Sequence, residues 1–446
     1  MQFVIIGGDA AGMSAASKAK RLQPELRVVV LEQTRDVSYS ACGMPYNIAD
    51  PQRDIDDLVV RDAETFRRKQ GIELLLDHRA TAIDPKRRVV RGDLADGAPF
   101  QMPYDHLLIA TGGRPAMPEI GGLDLPGVLA LKRLEDGRRI KDFIRAQAVE
   151  RVVIIGMGYI ALEMSEALVA RGIQVALVKP RPRLLPWMAE ALARAVAAEL
   201  ERQGVEIYDG HPIERIARDD KRLQVVGPDL HLPADMVLVA VGIKPNSELA
   251  AEAGLALGAD GAVAVDRRLC TTDARIYAAG DCADAFHVAS GERAWIPLAL
   301  RANRAGWAVA ENVCGGNTEL EGVAGTAVFK VFDLEVARTG LTVKAAQAAG
   351  FDPVEVVIET RSKAHAHPGS ETIWVQMAGD CHSGRLLGAS MVGRHGVAHR
   401  INAAAVALHA RLSVAQFSQC DLAYAPPFGP VWDPLLTAAN QLIKKL

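Results

Sequence analysis

The sequence has no long apolar run and no closely spaced pair of cysteines. No apolar stretch approaches the roughly 20 residues of a membrane-spanning helix, so we expect no membrane association. The 51 basic and 54 acidic side chains give a net charge of −3, which provides no general attraction for nucleic acid. The six cysteines form no Cys-x-x-Cys pair, which argues against a zinc module or a secreted disulfide framework, and no metal site is predicted.

The length and the first residues set further expectations. With 446 residues, the chain exceeds what one core usually supports, and two to three domains of roughly 100–150 residues are expected. Residues Met1–Gly7 run directly into a folding motif, which leaves no room for a signal peptide. Together with the cysteine usage, this predicts a cytoplasmic protein.

A glycine-rich turn joins a predicted strand to a predicted helix at the amino-terminal end. Phe3–Ile6 has the composition of a buried parallel strand, and Gly7–Gly12 turns into a helix predicted from Met13 to about Arg21. Amides at the amino terminus of such a helix favour a pyrophosphate. The predicted cofactor contacts of this turn are Gly7, Gly8, Ala10, Ala11 and Gly12.

The second predicted strand completes a βαβ unit. Val28–Leu31 ends in Glu32, twenty residues after the turn, where an acid accepts a hydrogen bond from a ribose hydroxyl. We therefore assign Glu32 and Gln33 to a dinucleotide site. Asp9 departs from the pattern, since it occupies the position of the middle glycine.

A second strand, glycine turn and helix begin at Arg151. The strand Arg151–Ile155 precedes Gly156 and Gly158, and the next strand ends in Lys179 rather than in an acid. Lys179, Arg181 and Arg183 suit a 2′-phosphate and favour NADPH, with NADH still possible. The alternative is that these three charges form only a solvated loop face.

Two later segments have the character of strand ends that pass a nucleotide. Leu107–Ile109 is a short apolar strand followed by small residues, and Ile276–Ala278 repeats the pattern. Combined with the first turn, they predict further contacts at Ala110, Thr111, Gly112, Gly280 and Asp281.

Cys42 lies in the segment Ser38–Tyr46, downstream of the first unit. Gly43 and Pro45 disfavour a long helix there. A thiol at the far end of a dinucleotide site can exchange with a disulfide or accept electrons from a flavin. The alternative is a buried structural thiol, because free cysteine is among the most buried residue types.

With these motifs in this order, the chain resembles the two-dinucleotide flavoprotein disulfide reductases along essentially its whole length. The resemblance implies an α/β fold with two Rossmann-like dinucleotide-binding domains and an α+β carboxy-terminal dimerisation domain. It places the FAD-binding domain at residues 1–113 and 246–322, the NAD(P)H-binding domain at 114–245 and the dimer-interface domain at 323–446. It also implies a homodimer with bound FAD. Further implied cofactor contacts are Ser40, Ala80, Tyr159, Ile160, Glu163, Gly242, Pro297, Leu298 and Ala299.

The segment Cys42–Tyr46 resembles the single-cysteine branch of that family, which contains coenzyme A-disulfide reductases, persulfide reductases, NADH oxidases and NADH peroxidases. The two-cysteine branch needs a partner five positions away, where this chain has Val37 and Asn47. The peroxidases and several oxidases carry a histidine at the position of Ala10. The resemblance therefore favours Cys42 as the catalytic thiol of a coenzyme A-disulfide or persulfide reductase.

Tyr424 lies in a segment that resembles the one in which coenzyme A-disulfide reductases hold a tyrosine over the thiol, and we expect it to act as a catalytic group across the dimer. The expected substrate contacts are Ser14, Lys18, Arg21, Asn47, Arg61 and His367. Two other functions stay open. One is an oxidase that reduces oxygen or peroxide, and the other is a flavin-based redox sensor or electron carrier.

Overall fold

The computed structural model describes residues 1–219 and 222–446. It contains two five-stranded parallel sheets, a five-stranded antiparallel sheet and smaller antiparallel sheets. Strands are numbered β1–β25 and helices α1–α12 along the chain. The predicted α/β fold class is confirmed.

The first parallel sheet has the order β18-β7-β1-β2-β3. Its strands are apolar and almost wholly buried, as expected for a parallel sheet that is covered on both faces. One strand comes from far along the chain, so this unit is discontinuous in sequence. The strands are β1 (Gln2–Ile6), β2 (Arg27–Leu31), β3 (Glu73–Leu75), β7 (His106–Ile109) and β18 (Ile276–Ala278).

The second parallel sheet has the order β12-β11-β10-β16-β9. It repeats the pattern of the first, with a glycine turn after its central strand. The strands are β9 (Val128–Ala130), β10 (Arg151–Ile155), β11 (Gln174–Lys179), β12 (Glu206–Asp209) and β16 (Met236–Val239).

The carboxy-terminal sheet is antiparallel and has the order β21-β22-β25-β24-β23. Helices α10 (Val397–His409) and α12 (Pro434–Ile443) pack on it through buried apolar side chains. The strands are β21 (Ala327–Val331), β22 (Leu334–Gly340), β23 (Pro353–Arg361), β24 (Thr372–Asp380) and β25 (Leu386–Gly393).

The remaining strands form antiparallel sheets of two or three strands. They are β4 (His78–Asp84), β5 (Val89–Leu94) and β6 (Pro99–Pro103); β13 (Arg215–Arg218), β14 (Leu223–Gly227) and β15 (Leu230–Ala234); β8 (Gly113–Pro115) with β17 (Ile243–Pro245); and β19 (Ala285–Phe286) with β20 (Arg293–Ala294).

The α-helices cover the sheets and connect their strands. They are α1 (Ala10–Leu22), α2 (Met44–Ala49), α3 (Ala63–Gln70), α4 (Leu134–Ala146), α5 (Tyr159–Val169), α6 (Glu190–Arg202), α7 (Glu248–Glu252), α8 (Ala299–Val313), α9 (Val343–Ala348), α10 (Val397–His409), α11 (Val414–Ser418) and α12 (Pro434–Ile443). Short 3₁₀ helices are Ala41–Gly43, Ile55–Leu58 and Ala259–Gly261.

Helix α1 begins earlier than the sequence pattern predicted. Its first residue is Ala10 rather than Met13, because the backbone amide of Met13 already donates to the carbonyl of Asp9 at 2.8 Å. The glycine turn is therefore shorter than predicted, which brings the amino terminus of α1 directly to the end of β1.

The segment after Cys42 packs away from the first sheet. Met44, Ile48, Ile55 and Leu58 belong to the same buried cluster as side chains of α4, α5 and the second sheet. The predicted boundary had grouped these residues with the FAD-binding domain. The thiol loop thus bridges the two nucleotide-binding units.

Candidate active site

A cleft of about 1030 Å³ lies at the carboxyl edge of the first parallel sheet. Ligands of open α/β sheets bind at this edge. Most of the residues predicted from the first unit line it, together with several predicted substrate contacts. These lining residues are Gly7, Gly8, Ala10, Ala11, Ser14, Arg21, Glu32, Gln33, Ser40, Cys42, Arg61, Ala80, Ala110, Thr111, Gly112, Gly280, Asp281, Pro297 and Ala299.

Two glycines permit the close approach of β1, α1 and β7. Gly7 has a φ of +111°, and a Cβ atom there would lie 2.2 Å from the carbonyl oxygen of Ala110. A Cβ atom on Gly12 would lie 1.9 Å from the carbonyl oxygen of Gly7. Gly12 therefore allows α1 to pack closely on β1. It is buried and is not among the described residues that line the cleft.

The carboxylate of Glu32 is fixed at the end of β2. One oxygen accepts from the backbone amide of Gly8 at 2.8 Å, and the other accepts from the backbone amide and hydroxyl of Thr34, each at 2.8 Å. The carboxylate is thus oriented at the edge where a ribose hydroxyl would donate to it. With the close glycine turn and the amino terminus of α1 at the cleft, these residues fit the adenosine and pyrophosphate of FAD.

Asp9 lines the cleft where the fingerprint normally has glycine. Burial raises the pKa of its carboxyl to about 6, against the backbone amide of Tyr39 and the charge of Lys132, which lower it. A carboxylate beside a phosphate site would repel an anion, and a raised pKa reduces that repulsion as the pH falls. From the sequence alone, Asp9 was identified only as a departure from the glycine pattern of the turn.

Cys42 lies in the 3₁₀ helix Ala41–Gly43, directly before α2, and its side chain is exposed on the cleft. Protein surrounds the other sides of the thiol, and this burial raises its pKa. The carboxylate of Glu163 raises the pKa further, while Lys132 opposes the shift. The Nζ atom of Lys132 lies 2.8 Å from a carboxylate oxygen of Asp281. This cation is therefore shared between the thiol and an acidic group.

Among the described residues that line the cleft, Cys42 is the only cysteine. Cys282 follows Asp281 in sequence, but it is buried, with its Sγ atom 3.4 Å from the carbonyl oxygen of Ile109. All six cysteines are free thiols. The arrangement can support nucleophilic attack by one thiol on a substrate that enters the cleft.

The burial of Asn47 contradicts the prediction that it contacts the substrate. The side chain of Asn47 is fully buried. Its amide nitrogen donates to the carbonyl of Asp54 at 2.7 Å, and its amide oxygen accepts from Lys141 at 2.9 Å. The residue holds the chain after α2 in place, and no face of its side chain remains for a substrate.

The predicted basic stripe on α1 is only partly present at the cleft. Ser14 and Arg21 line it, and the hydroxyl of Ser14 donates to the amide oxygen of Asn303 at 2.6 Å. Lys18 instead pairs with Glu311, with Nζ 2.9 Å from the carboxylate oxygen. Lys18 is thus paired with α8 and is not among the described residues that line the cleft, and its contact with a substrate stays a prediction.

Arg61 approaches the cleft from the other side. Its guanidinium lies over the ring of Phe66, 5.2 Å from the ring centroid. Neither Arg21 nor Arg61 forms an ion pair with another residue in the described ranges. The two cations can therefore meet an anionic substrate at the mouth of the cleft.

The second glycine turn forms a separate edge. Gly156 and Gly242 both have a φ of +124°. Gly158 precedes α5, and a Cβ atom on it would extend into open space. Ile160 is exposed on the first turn of α5. These residues leave the amino terminus of α5 accessible, as a pyrophosphate of NAD(P)H requires.

The basic residues after β11 do not form one uniform patch. The ammonium of Lys179 donates to the carbonyl of Arg183 at 2.8 Å, and Arg183 lies 3.8 Å from Glu190. Asp209 on β12 lies directly opposite Lys179 on β11 in the sheet. Arg181 is exposed. An acid beside the basic group weakens the argument for exclusive use of NADPH.

Some predicted residues do not line the first cleft in the described structure. Tyr159 packs against Phe329, with ring centroids 4.6 Å apart, and against Trp187 at 6.1 Å. Leu298 lies just before α8, between the lining residues Pro297 and Ala299. Glu163 accepts a hydrogen bond from Tyr46 at 3.0 Å instead of facing the cleft.

Tyr424 and His367 lie outside the cleft of their own chain. Their segments are adjacent to each other, since the amide of Ala364 donates to the carbonyl of Pro426 at 3.3 Å. Arg400 joins them further by donating to the carbonyls of Ser362 and Phe428, at 3.1 and 2.7 Å. Tyr424 is 48% exposed. If either residue serves Cys42, it must do so in another copy of the chain.

Two general features of the described chain bear on function. No helix within residues 1–219 and 222–446 is both long and apolar enough to span a bilayer. Over the same ranges, no cluster of three or more His, Cys, Asp or Glu side chains could hold a metal ion.

Comparison with known sequences gives matches along nearly the whole chain. The profile of the pyridine nucleotide-disulphide oxidoreductases matches residues 1–306, and that of their dimerisation domain matches residues 326–434. The chain is similar to an NAD(P)H sulfur oxidoreductase (CoA-dependent) of Pyrococcus furiosus, with 39% identity over 99% of each chain. It is also similar to an NADH oxidase of Methanocaldococcus jannaschii, with 33% identity over 100% of this chain and 99% of the relative.

A solved structure has the same fold. It is an NAD-dependent persulfide reductase from A. fulgidus, with a TM-score of 0.96 and 36% sequence identity. The match covers 100% of this chain and 83% of that one. The resemblance inferred from the motifs is confirmed at the level of the family.

Proposed function

Because the chain belongs to the pyridine nucleotide-disulphide oxidoreductase family, we propose that it reduces coenzyme A disulfide or a coenzyme A persulfide through Cys42. Members of this family are FAD-dependent enzymes that use NAD(P)H, and this chain is one of them. The finer assignment of thiol and substrate is our proposal. It depends mainly on one observation, the single cysteine on the lining of the described cleft.

Bound FAD supplies the transfer of two electrons from NAD(P)H to sulfur. The thiolate of Cys42 attacks one sulfur of the substrate disulfide, the S–S bond breaks, and one thiolate leaves and takes up a proton. The mixed disulfide that remains on Cys42 then accepts two electrons and a proton, which releases the second thiol and restores the thiolate. No second protein thiol is needed for this cycle.

The charge at the mouth of the cleft supports a phosphorylated substrate. Arg21 and Arg61 line this region, and an arginine guanidinium binds phosphate in a bidentate manner. The phosphorylated nucleotide end of coenzyme A would meet these cations while its sulfur reaches Cys42. The CoA-dependent relative supports the same substrate class.

We further propose that the enzyme is a homodimer in which Tyr424 and His367 of one protomer face Cys42 of the other. The matched dimerisation domain contains both segments. Exposed apolar side chains nearby, including Phe428, Val431 and Trp432, favour their burial against a second copy. A phenol at the thiol would donate to the leaving thiolate.

Cys42→Ser tests the assignment of the thiol. The variant should still bind FAD and be reduced by NADPH, but it should lose turnover with coenzyme A disulfide by orders of magnitude, because serine forms no mixed disulfide. Cys420→Ser, at another free thiol outside the described lining of the cleft, is the matched control. Disulfide reduction by Cys42→Ser at the wild-type rate would refute the proposal.

The NADH oxidase among the relatives makes oxygen reduction a second candidate function. Ala10 provides no acid at the position where peroxidases and several oxidases have histidine. The two candidates separate when oxygen uptake and disulfide-dependent loss of NADPH are measured on the same preparation. In aerobic buffer, we expect the disulfide-dependent rate of NADPH loss to exceed the rate of oxygen uptake, and we expect the disulfide-dependent rate to persist in anaerobic buffer.

A further inference from the structure

Helices α1 and α8 form one wall of the cleft. They cross closely at Gly306, where a Cβ atom would lie 2.2 Å from the carbonyl oxygen of Ala11. Beside this crossing, the hydroxyl of Ser14 on α1 donates to the amide oxygen of Asn303 on α8 at 2.6 Å. Both of these polar residues line the cleft. The two helices are therefore held together where their side chains form its wall.

Trp307 presents an aromatic ring to the cleft one turn further along α8. It lies four residues after Asn303, on the same face of the helix. It lines the cleft and is 51% exposed. The ammonium group of Lys18 lies 5.8 Å from the ring centroid, and the same group pairs with Glu311 at 2.9 Å. The cation thus orients the ring from one side, while about half of the residue stays open to a ligand.

The ring lies away from the position that suits the ribose of FAD. Glu32 follows β2 at the carboxyl edge of the first sheet, where α1 also begins. Lys18, which contacts the ring, lies about 12 Å from Ala10 along the axis of α1, because each helical residue rises about 1.5 Å. The cleft continues in that direction, since Ser17 and Arg21 line it. The ring can therefore meet a second molecule that binds beside FAD.

The side chains around Trp307 suit a phosphorylated purine. Aromatic rings bind nucleobases by stacking, because every base has a π face. Arg21 follows Lys18 by three residues on the same side of α1, it lines the cleft, and its guanidinium can bind phosphate. Coenzyme A carries both groups at one end, an adenine ring and a phosphorylated ribose.

We propose that Trp307 stacks on the adenine ring of coenzyme A and so determines how tightly the nucleotide end of the substrate binds. Lys18 fixes the ring from the α1 side, and Arg21 meets the phosphate. The inference rests on the proposed function for the identity of the substrate. It adds to that function a specificity-determining residue that lies more than 250 positions after Cys42 in the sequence.

Binding of desulfo-coenzyme A to the holoenzyme tests the inference by isothermal titration calorimetry. The protein is first treated with dithiothreitol and dialysed, which removes any thiol bound to Cys42. The probe lacks sulfur, so its affinity does not depend on chemistry at Cys42. Trp307→Leu should weaken binding by about 5- to 100-fold, the range expected for the loss of one base–aromatic stack. Trp307→Phe keeps an aromatic ring and should recover most of the lost affinity.

A ligand without adenine separates stacking from other contributions. 4′-Phosphopantetheine contains the arm of coenzyme A but no purine, so the wild type and Trp307→Leu should bind it equally. Val328→Ala is the matched control. Val328 is 52% exposed on β21 and is not among the described residues that line the cleft. Its truncation should leave the affinity for desulfo-coenzyme A unchanged.

Equal affinity of the wild type and Trp307→Leu for desulfo-coenzyme A would overturn the inference, and so would an equal loss of affinity for 4′-phosphopantetheine. Dissociation of Trp307→Leu into monomers in size-exclusion chromatography would assign the ring to a contact between copies and would also overturn it. FAD absorbance and the thermal transition identify a variant that does not fold, and Trp307→Gln then takes the place of Trp307→Leu.

The inference and the proposed function fail in different ways. If desulfo-coenzyme A does not bind to the wild type, the assignment of the substrate is wrong and the contact with Trp307 is wrong with it. If the wild type binds the probe and Trp307→Leu binds it equally well, only the contact with Trp307 is wrong. The role of Cys42 in turnover is tested separately by Cys42→Ser.

Discussion

The ammonium group of Lys141 lies 2.9 Å from the amide oxygen of Asn47 and is buried between α4 and the end of α2. It also donates to the backbone carbonyls of Asn47, Asp50 and Arg53. Burial lowers the pKa of Lys141, but these acceptors satisfy its hydrogens. One side chain of the second unit thereby fixes the chain that follows the thiol.

Lys141→Met should destabilise the protein. The variant keeps most of the side-chain volume but leaves several buried acceptors without a donor, which costs about 2 to 4 kcal/mol in the free energy of unfolding. Denaturant unfolding of the holoenzyme measures the change. Lys86→Met, at an exposed lysine, is the control and should change stability by less than about 0.5 kcal/mol. Equal effects of the two variants would contradict this explanation.

Removal of the basic charges after β11 should affect the two coenzymes unequally. When Lys179, Arg181 and Arg183 are replaced together by glutamine, KM for NADPH should rise at least about tenfold more than KM for NADH, because only NADPH carries the extra phosphate. Steady-state kinetics with both coenzymes measures this ratio. Arg194→Gln, at a cation paired with Glu190 on α6, is the control.

The unmodified enzyme already tests this interpretation. A preference for NADH of tenfold or more, about 1.4 kcal/mol, would show that the basic residues do not select a 2′-phosphate. Asp209, in register with Lys179, would then be the residue to replace first.

Tyr424→Phe should slow the sulfur chemistry and spare the reduction of FAD. The change keeps the ring and removes the hydroxyl, so turnover with coenzyme A disulfide should fall by roughly 10²-fold if general acid help is lost. Flavin reduction by NADPH in a stopped-flow experiment should stay near the wild-type rate. A slower flavin reduction would instead place Tyr424 on the NADPH side of the reaction.

Mixed dimers test whether Tyr424 acts across the interface. A dimer of one Tyr424→Phe chain and one Cys42→Ser chain has one intact site if the tyrosine comes from the partner, and it should recover about half of the wild-type activity. If both groups act within one chain, each site carries a lesion and activity stays low. A fully active monomer would also refute the proposal.

His287 should give the protein a loss of stability in acid. The side chain is 5% exposed, and burial, with a smaller effect of Arg338, lowers its pKa to about 4. Between the ordinary value near 6.5 and pH 4, the unfolded chain binds the proton and the folded one does not. The free energy of unfolding should therefore fall as the pH drops through this window, by up to about 3 kcal/mol from this residue.

Denaturant unfolding at pH 7 and pH 4.5 measures the effect, and His287→Gln isolates it from other titrating groups. The difference in stability between the wild type and His287→Gln should shrink or reverse at the lower pH. A difference that is independent of pH would show that His287 does not titrate in this window.

Local sequence determined the nucleotide-binding elements of this protein. Gly7 and Gly12 were identified from spacing alone, because a strand, a tight turn and a helix can meet at that distance only where a Cβ atom is missing. Glu32 followed from the same spacing, and Cys42 stood out because a single thiol interrupts an otherwise ordinary loop. These features depend on neighbours within a few residues or within one βαβ unit, so the chain itself specifies them.

Tertiary structure decided which side chains remain for a ligand. Asn47 and Lys18 were predicted as substrate contacts. The side chain of Asn47 is instead hydrogen-bonded to Lys141, 94 positions further along the chain, and Lys18 forms an ion pair with Glu311, 293 positions further along. Lys132 and Glu163 affect the pKa of the Cys42 thiol although they lie about 90 and 120 positions further along the chain, because folding places their charges near it. The charge and freedom of a side chain depend on partners that fold against it, and no local pattern contains them.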